Sequence, residues 1–149
     1  MEAAAGPAMG TPLSASAVAV SSGWGDGSAR GEPVPSLTEV LAGTATVPLV
    51  ALEALPGLAW SYSGGGYLVT AQVICDVTGL PFDEAMSELV LGPVGMAAST
   101  FRQPLPASLE HAAACGHRGR QPIPGGWCNQ LDISAAGLST TPSDLVRFA

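Results

Sequence analysis

The sequence contains no lysine: all five basic residues are arginines, at 30, 102, 118, 120 and 147. That excludes Schiff-base chemistry, a phosphate-loop lysine and a Ser-x-x-Lys pair built from these residues. Positive charge is scarce as well. Five basic against twelve acidic residues give a net charge of −7 and a pI near 4.4, and only Arg118 and Arg120 sit close together. A nucleic-acid partner is disfavoured, because neutralising phosphates needs a positive face. Charged residues of either sign make up 11% of the chain, against about 25% in an average soluble domain. No apolar run approaches the roughly 18 residues of a bilayer helix, so no membrane span is expected. Cysteine is limited to Cys75, Cys115 and Cys128, an odd number without close pair spacing. A disulfide scaffold is not indicated, although one bridge and one free thiol remain compatible with the count. Met1-Glu2-Ala-Ala-Ala5 carries an acid where a secretory leader needs positive charge, and Ala15–Val20 is short and broken by Ser16. The compartment is left open.

The 149 residues suffice for about one domain. Residues 1–30 are largely Ala, Gly, Ser and Pro, with few large side chains, and are expected either to be loose, because burial cannot offset ordering entropy there, or to be a mis-started segment. Residues 31–149 have a different texture. Ser36 with Glu39 three positions on is a capping-box pattern that predicts a short helix closed by Gly43. Residues 44–58, interrupted by Pro48, Pro56 and Gly57, read as irregular. Trp60-Ser-Tyr62-Ser-Gly-Gly-Gly66 reads as a turn, followed by a helix over Tyr67–Thr78 that is apolar nearly all round and therefore expected inside a domain. Gly79 and Pro81 stop it.

A second helix is predicted from Phe82, with Asp83 and Glu84 in its first turn, Phe82, Met86, Leu89 and Val90 facing inward, and Gly92-Pro93 ending it. Prolines at 104, 106, 122 and 124 leave mostly loop between Val94 and Gly137. The last segment predicts a helix with a Thr cap, Pro142 at its first position and Asp144 in its first turn. A helix that starts and has only about two turns to run is an unusual ending, and the C-terminus is read as a truncation.

Tyr62 is the candidate catalytic residue. Its phenol precedes a helix N-terminus, whose partial positive charge favours a phenolate and so a tyrosine base, while the glycines would let a substrate approach the backbone. On spacing alone, a packed aromatic beside a glycine turn fits these residues better than a base does. His111, Cys115, His117 and Cys128 are metal-ligand types, but Gly116 breaks the local helix and no Cys-x-x-Cys or His-Glu-x-x-His pattern is present, so no metal and no cofactor are expected. No Gly-x-Ser-x-Gly elbow occurs.

Six blocks together carry more than any one residue: Pro56-Gly-Leu-Ala-Trp-Ser-Tyr62-Ser-Gly-Gly-Gly-Tyr67, Val77-Thr-Gly-Leu-Pro-Phe82, Leu91-Gly-Pro-Val-Gly-Met96, Ser99-Thr-Phe101, Gly116-His117 and Ala135-Ala-Gly-Leu-Ser-Thr-Thr-Pro-Ser-Asp-Leu-Val-Arg-Phe-Ala149. From about residue 31 onward the chain resembles the β-lactamase-related serine hydrolases, which group class C β-lactamases, D-alanyl-D-alanine carboxypeptidases, D-aminopeptidases and esterases. The resemblance implies an α+β, β-lactamase/transpeptidase-like fold, of which this chain covers mainly the helical middle portion and lacks both ends of the sheet.

It also implies an acyl-enzyme mechanism built on three motifs, Ser-x-x-Lys, Tyr-x-Asn and a late Lys-Thr-Gly or His-x-Gly. Tyr62 matches the tyrosine of the second, Gly64 stands where its asparagine would be, and the other two motifs have no counterpart here. The expectation is therefore a partial hydrolase, inactive alone, acting in its complete form on an ester, a D-amino-acid amide or a β-lactam. Its partner is a small-molecule or peptide substrate, and its oligomeric state is left open. A non-catalytic remnant that keeps a ligand groove is the alternative.

Overall fold

The computed structural model of the chain describes residues 27–45, 47–52, 55 and 62–149. Of the segment 1–30, residues 1–26 lie outside the described residues. Ser28–Ala29 forms strand β1, which pairs antiparallel with β4, Cys128–Asn129. The next residue, Arg30, stacks its guanidinium over Trp127 at 4.4 Å and meets the Glu110 carboxylate at 2.5 Å. One short contact region thus ties the start of the described chain to residues a hundred positions further on.

Helix α1 spans Leu37–Ala42, and both halves of the capping box are in place. The Ser36 hydroxyl accepts the Glu39 N–H at 3.3 Å, while the Glu39 carboxylate accepts the Ser36 N–H at 2.7 Å. Gly43 closes the helix, as its sequence position predicts.

Helix α2 runs Gly64–Thr78 and ends at Gly79, which takes the left-handed φ of +69° and returns its N–H to the Cys75 carbonyl. Two expectations are corrected here. The glycines at 64–66 are not a turn before the helix but its first turn, because Ser63 caps it by accepting the Gly66 N–H at 3.0 Å. The helix is also not covered all round: Leu68 and Ala71 are fully buried, whereas Val69, Val73 and Val77 on the opposite side are 43%, 53% and 81% exposed.

Helix α3, Phe82–Met86, continues into a π turn over Ser87–Leu91 and a further helical turn, α4, at Gly92–Val94. The predicted stop at Gly92-Pro93 is therefore passed. Pro93 has no N–H to continue an α ladder. The chain widens instead, and the Gly92 N–H reaches back five residues to the Ser87 carbonyl. Widening also shifts the inner face: Phe82, Ala85 and Leu91 are buried, while Leu89, expected inside, is exposed. The Gly95 and Met96 N–H groups then bond the Gly92 and Leu91 carbonyls, a paired closure of the last turn.

The remainder is mostly loop, as the prolines require. It holds a 3₁₀ turn at Glu110–Ala112, a hairpin of β2 (His117–Arg118) with β3 (Gln121–Pro122), and helix α5 at Ile133–Ala136. Helix α6, Pro142–Phe148, has the predicted start: the Thr141 hydroxyl accepts the Asp144 N–H at 3.2 Å and Pro142 opens the helix. Two apolar clusters meet along α2. One joins Ala71 to Phe82, Leu91, Met96 and Phe101; the other joins Leu68 to Val40, Val47 and Leu131. Leu37 and Ile133 touch both clusters, so α1, α2 and α5 form one packed unit. Phe82 and Phe101 pack edge to face with centroids 5.3 Å apart.

Candidate active site

Tyr62 occupies the residue before the cap of α2 and is 72% exposed. Its backbone neighbour is fixed twice over. Ser63 is buried with its hydroxyl committed to the Gly66 N–H, and the next turn is tied by Thr70, which donates to the Gly66 carbonyl at 2.9 Å. Ser63 is a helix cap, and its hydroxyl does not face solvent as a nucleophile would. Gly65 and Gly66 are buried in the first turn. Of the glycines expected to let a substrate approach the backbone, Gly64 alone is not buried.

Sequence reasoning missed the polar bracing around the segment 98–144. The Gln103 side chain bridges two strands of chain, donating to the Gly137 carbonyl at 3.1 Å and accepting the Gln130 N–H at 3.3 Å. Thr100 and Ser139 exchange both backbone hydrogen bonds, at 2.8 and 2.9 Å. Gly137 fits only as glycine, since a Cβ there would stand 2.4 Å from the Ile133 carbonyl oxygen.

Asp144 is buried and accepts from the Ala98 N–H and the Ser99 hydroxyl, each at 2.8 Å, and from the Arg147 guanidinium. The Ser99 hydrogen bond, reinforced by Ala98 and Arg147, holds its carboxyl below the usual range against the opposing effect of burial. The Ser99 oxygen also lies 2.7 Å from the Thr140 hydroxyl. This serine is a structural tie, held by a carboxylate with no histidine between them. The sequence signal was limited to Asp144 as a first-turn acid, because its partners lie 45 and 46 positions away.

Two of the clefts on the described surface bear on the candidate residues. One, about 570 Å³, is lined by Trp127, Leu105, Leu109, Gln103, Gln130 and Thr140 among others. The other, about 350 Å³, lies between Ser36, Leu37, Cys75 and Phe82. Tyr62 lines neither. Burial, and then the negative charges of Asp76 and Asp83, push the Cys75 thiol up, which keeps it protonated and a poor nucleophile. Burial likewise raises the Asp132 carboxyl, opposed by a hydrogen bond from its own N–H.

His111 stands in the 3₁₀ turn, His117 in β2, Cys128 in β4, and Cys115 is exposed; the His117 Nδ1 lies 3.0 Å from the Cys115 carbonyl oxygen. Among the described residues, no three His, Cys, Asp or Glu side chains are grouped to hold a metal ion. Among the same residues no helix is long and apolar enough to cross a membrane.

The sequence matches the family described as Beta-lactamase over residues 16–149. The chain belongs to the Beta-lactamase family. The match reaches upstream to residue 16, further than the motif resemblance read from about residue 31. Among solved structures it is similar to the D-amino acid amidase from Ochrobactrum anthropi SV3, with 25% identity, a TM-score of 0.52, and coverage of 66% of this chain and 29% of that one. It is similar to the octameric penicillin-binding protein homologue from Pyrococcus abyssi, with 24% identity, a TM-score of 0.58, and 78% and 26% coverage. It is also similar to the β-lactamase/D-alanine carboxypeptidase from Pseudomonas syringae, with 21% identity, a TM-score of 0.57, and 84% and 35% coverage.

These likenesses give a β-lactamase/transpeptidase-like fold of mixed helix and strand, with helices dominating the described residues. The chain spans between about a quarter and about a third of the length of these solved relatives. No match was found among curated proteins.

Proposed function

We propose that this chain supplies Tyr62 as the general base of a serine hydrolase that works through an acyl-enzyme, in a site completed by polypeptide outside these 149 residues. The observation that carries the reading is the position of Tyr62: exposed, one residue before the capped N-terminus of α2, at the tyrosine of the family's second motif. In the complete site Tyr62 takes the proton of the serine as its Oγ attacks the substrate carbonyl. The tetrahedral intermediate collapses, and the leaving group departs with that proton. Water, deprotonated in the same way, then releases the acyl group from the serine.

The lysine must come from elsewhere, because this chain contains none, and no Ser-x-x-Lys pair can therefore be built from it; the hydroxyls of Ser36, Ser63 and Ser99 are committed to helix caps and a structural tie. The substrate class is a small acyl compound: an ester, a D-amino-acid amide or a β-lactam. The names of the amidase and of the β-lactamase/carboxypeptidase support that range. Gly64 removes the side-chain amide of the second motif, which weighs toward esters and amides over β-lactams.

The absence of lysine also favours a second reading, a non-catalytic module that binds such ligands without turnover. Reading the source locus across both ends of this frame separates the two. An in-frame Ser-x-x-Lys upstream and Lys-Thr-Gly or His-x-Gly downstream would support the hydrolase. In that longer product Tyr62→Phe should lower kcat/KM by about 10²- to 10⁴-fold, the usual worth of a general base. A fall of less than tenfold would remove Tyr62 from the mechanism. Stop codons without either motif would leave the binding module.

A further inference from the structure

The cleft of about 570 Å³ has no part in the Tyr62 reading, since Tyr62 does not line it. In a chain with a net charge of −7, none of the side chains that line this cleft is charged. Leu105, Leu109, Leu138 and Pro142 supply apolar wall, and Trp127 supplies an aromatic ring. That ring is held by a residue outside the lining. The Arg30 guanidinium stacks over it at 4.4 Å and is itself tied to the Glu110 carboxylate at 2.5 Å and the Gly125 carbonyl at 3.5 Å. A wall fixed in advance lowers the ordering cost of binding.

Most polar groups in the lining are already engaged: Gln103 with Gly137 and the Gln130 N–H, Thr140 with Ser99, and Thr141 with the Asp144 N–H. The Gln130 side-chain amide and the Ser139 hydroxyl, by contrast, bond to no described residue. They offer a ligand N–H and O–H donors and a carbonyl acceptor, whereas an ion would enter without a counter-charge. We propose that this cleft binds a small neutral molecule carrying an amide and an aromatic or branched apolar group, with the apolar group against Trp127 and the amide on Gln130 and Ser139. Arg30 is the positioning residue for Trp127. Binding here requires neither Tyr62 nor a nucleophile.

The test uses the 149-residue chain and two probes that differ in charge. N-acetylphenylalaninamide is neutral, and N-acetylphenylalanine is an anion at about pH 7. The readout is the indole N–H resonance of Trp127, assigned by its loss in Trp127→Phe. The amide should shift that resonance saturably, with an affinity at least about tenfold above that of the anion. Gln130→Leu and, separately, Ser139→Ala should each weaken the amide by about 3- to 10-fold, the usual worth of one hydrogen bond. Arg30→Ala should weaken it too and move the Trp127 resonance before any probe is added, while Arg30→Lys recovers part of both effects. Circular dichroism checks the fold of each variant, and the comparison of the two probes on wild-type chain needs no variant to fold. A Trp127 resonance that stays fixed, or a shift that never saturates, would overturn the site. Equal affinity for amide and anion would overturn the ligand class, as would an amide affinity that neither Gln130→Leu nor Ser139→Ala changes.

Discussion

Asp144 shows how one side chain can organise residues far apart in sequence. Its carboxylate gathers the Ala98 N–H, the Ser99 hydroxyl and the Arg147 guanidinium, which pins the first turn of α6 onto the loop after α4. Because these donors hold its pKa below the unfolded value of about 3.9, the stabilisation is fully present above that pH. It is lost as the pH falls through the lower folded pKa. Urea midpoints measured from pH 7 to pH 2 should therefore drop below pH 4 in the wild type. In Asp144→Asn the pH 7 midpoint should be lower and the acid dependence shallower. An unchanged acid slope in the variant would mean that this carboxylate does not govern acid stability. Asp132 has the opposite sign: its carboxyl is raised by burial, so ionisation above the unfolded pKa works against the fold.

Within elements, the match between sequence and structure depends on how local the cause is. The Ser36–Glu39 capping box, the Gly79 stop and the Thr141–Pro142 start each involve residues within three or four positions of one another, and each appears as read. Helix α2 begins earlier than read, because three successive glycines suggest a turn and only the hydroxyl of Ser63 shows that they are helical. Replacing Ser63 by Ala should cost about 1 kcal/mol in denaturant unfolding, the usual worth of an N-cap. In a complete enzyme it should also lower kcat more than KM, because the backbone under Tyr62 loses its anchor. Full activity in a destabilised Ser63→Ala protein would separate the cap from the site. The π turn at Ser87–Leu91 was not legible at all, since a helical period cannot reveal where a proline forces one extra residue into the turn.

At the scale of the whole molecule, two clusters share α2 as a common wall, and the opposite wall faces solvent. The exposed set also includes Leu145, Val146 and Phe148 on α6 and Leu49 and Leu52 after α1. So much uncovered apolar surface predicts that the isolated chain binds a hydrophobic dye such as ANS and unfolds over a broad range. Fluorescence titration and calorimetry check this. A sharp cooperative melt without dye binding would mean that the chain covers these faces by itself.

Composition and local patterning determined the acidic character, the lack of a lysine-based nucleophile, the caps of α1 and α6, and the family blocks that mark Tyr62. Those features depend on residue identity or on neighbours a few positions apart, and both are written along the chain. Tertiary structure alone decided which side of α2 is buried, and that Ser99 and Gln103 are ties. It also paired Ser28 and Ala29 with Asn129 and Cys128, about a hundred residues on. The physical reason is range: a hydrogen bond or a packed face across 30 to 100 residues is chosen by the competition of all surfaces for burial, which no local window contains.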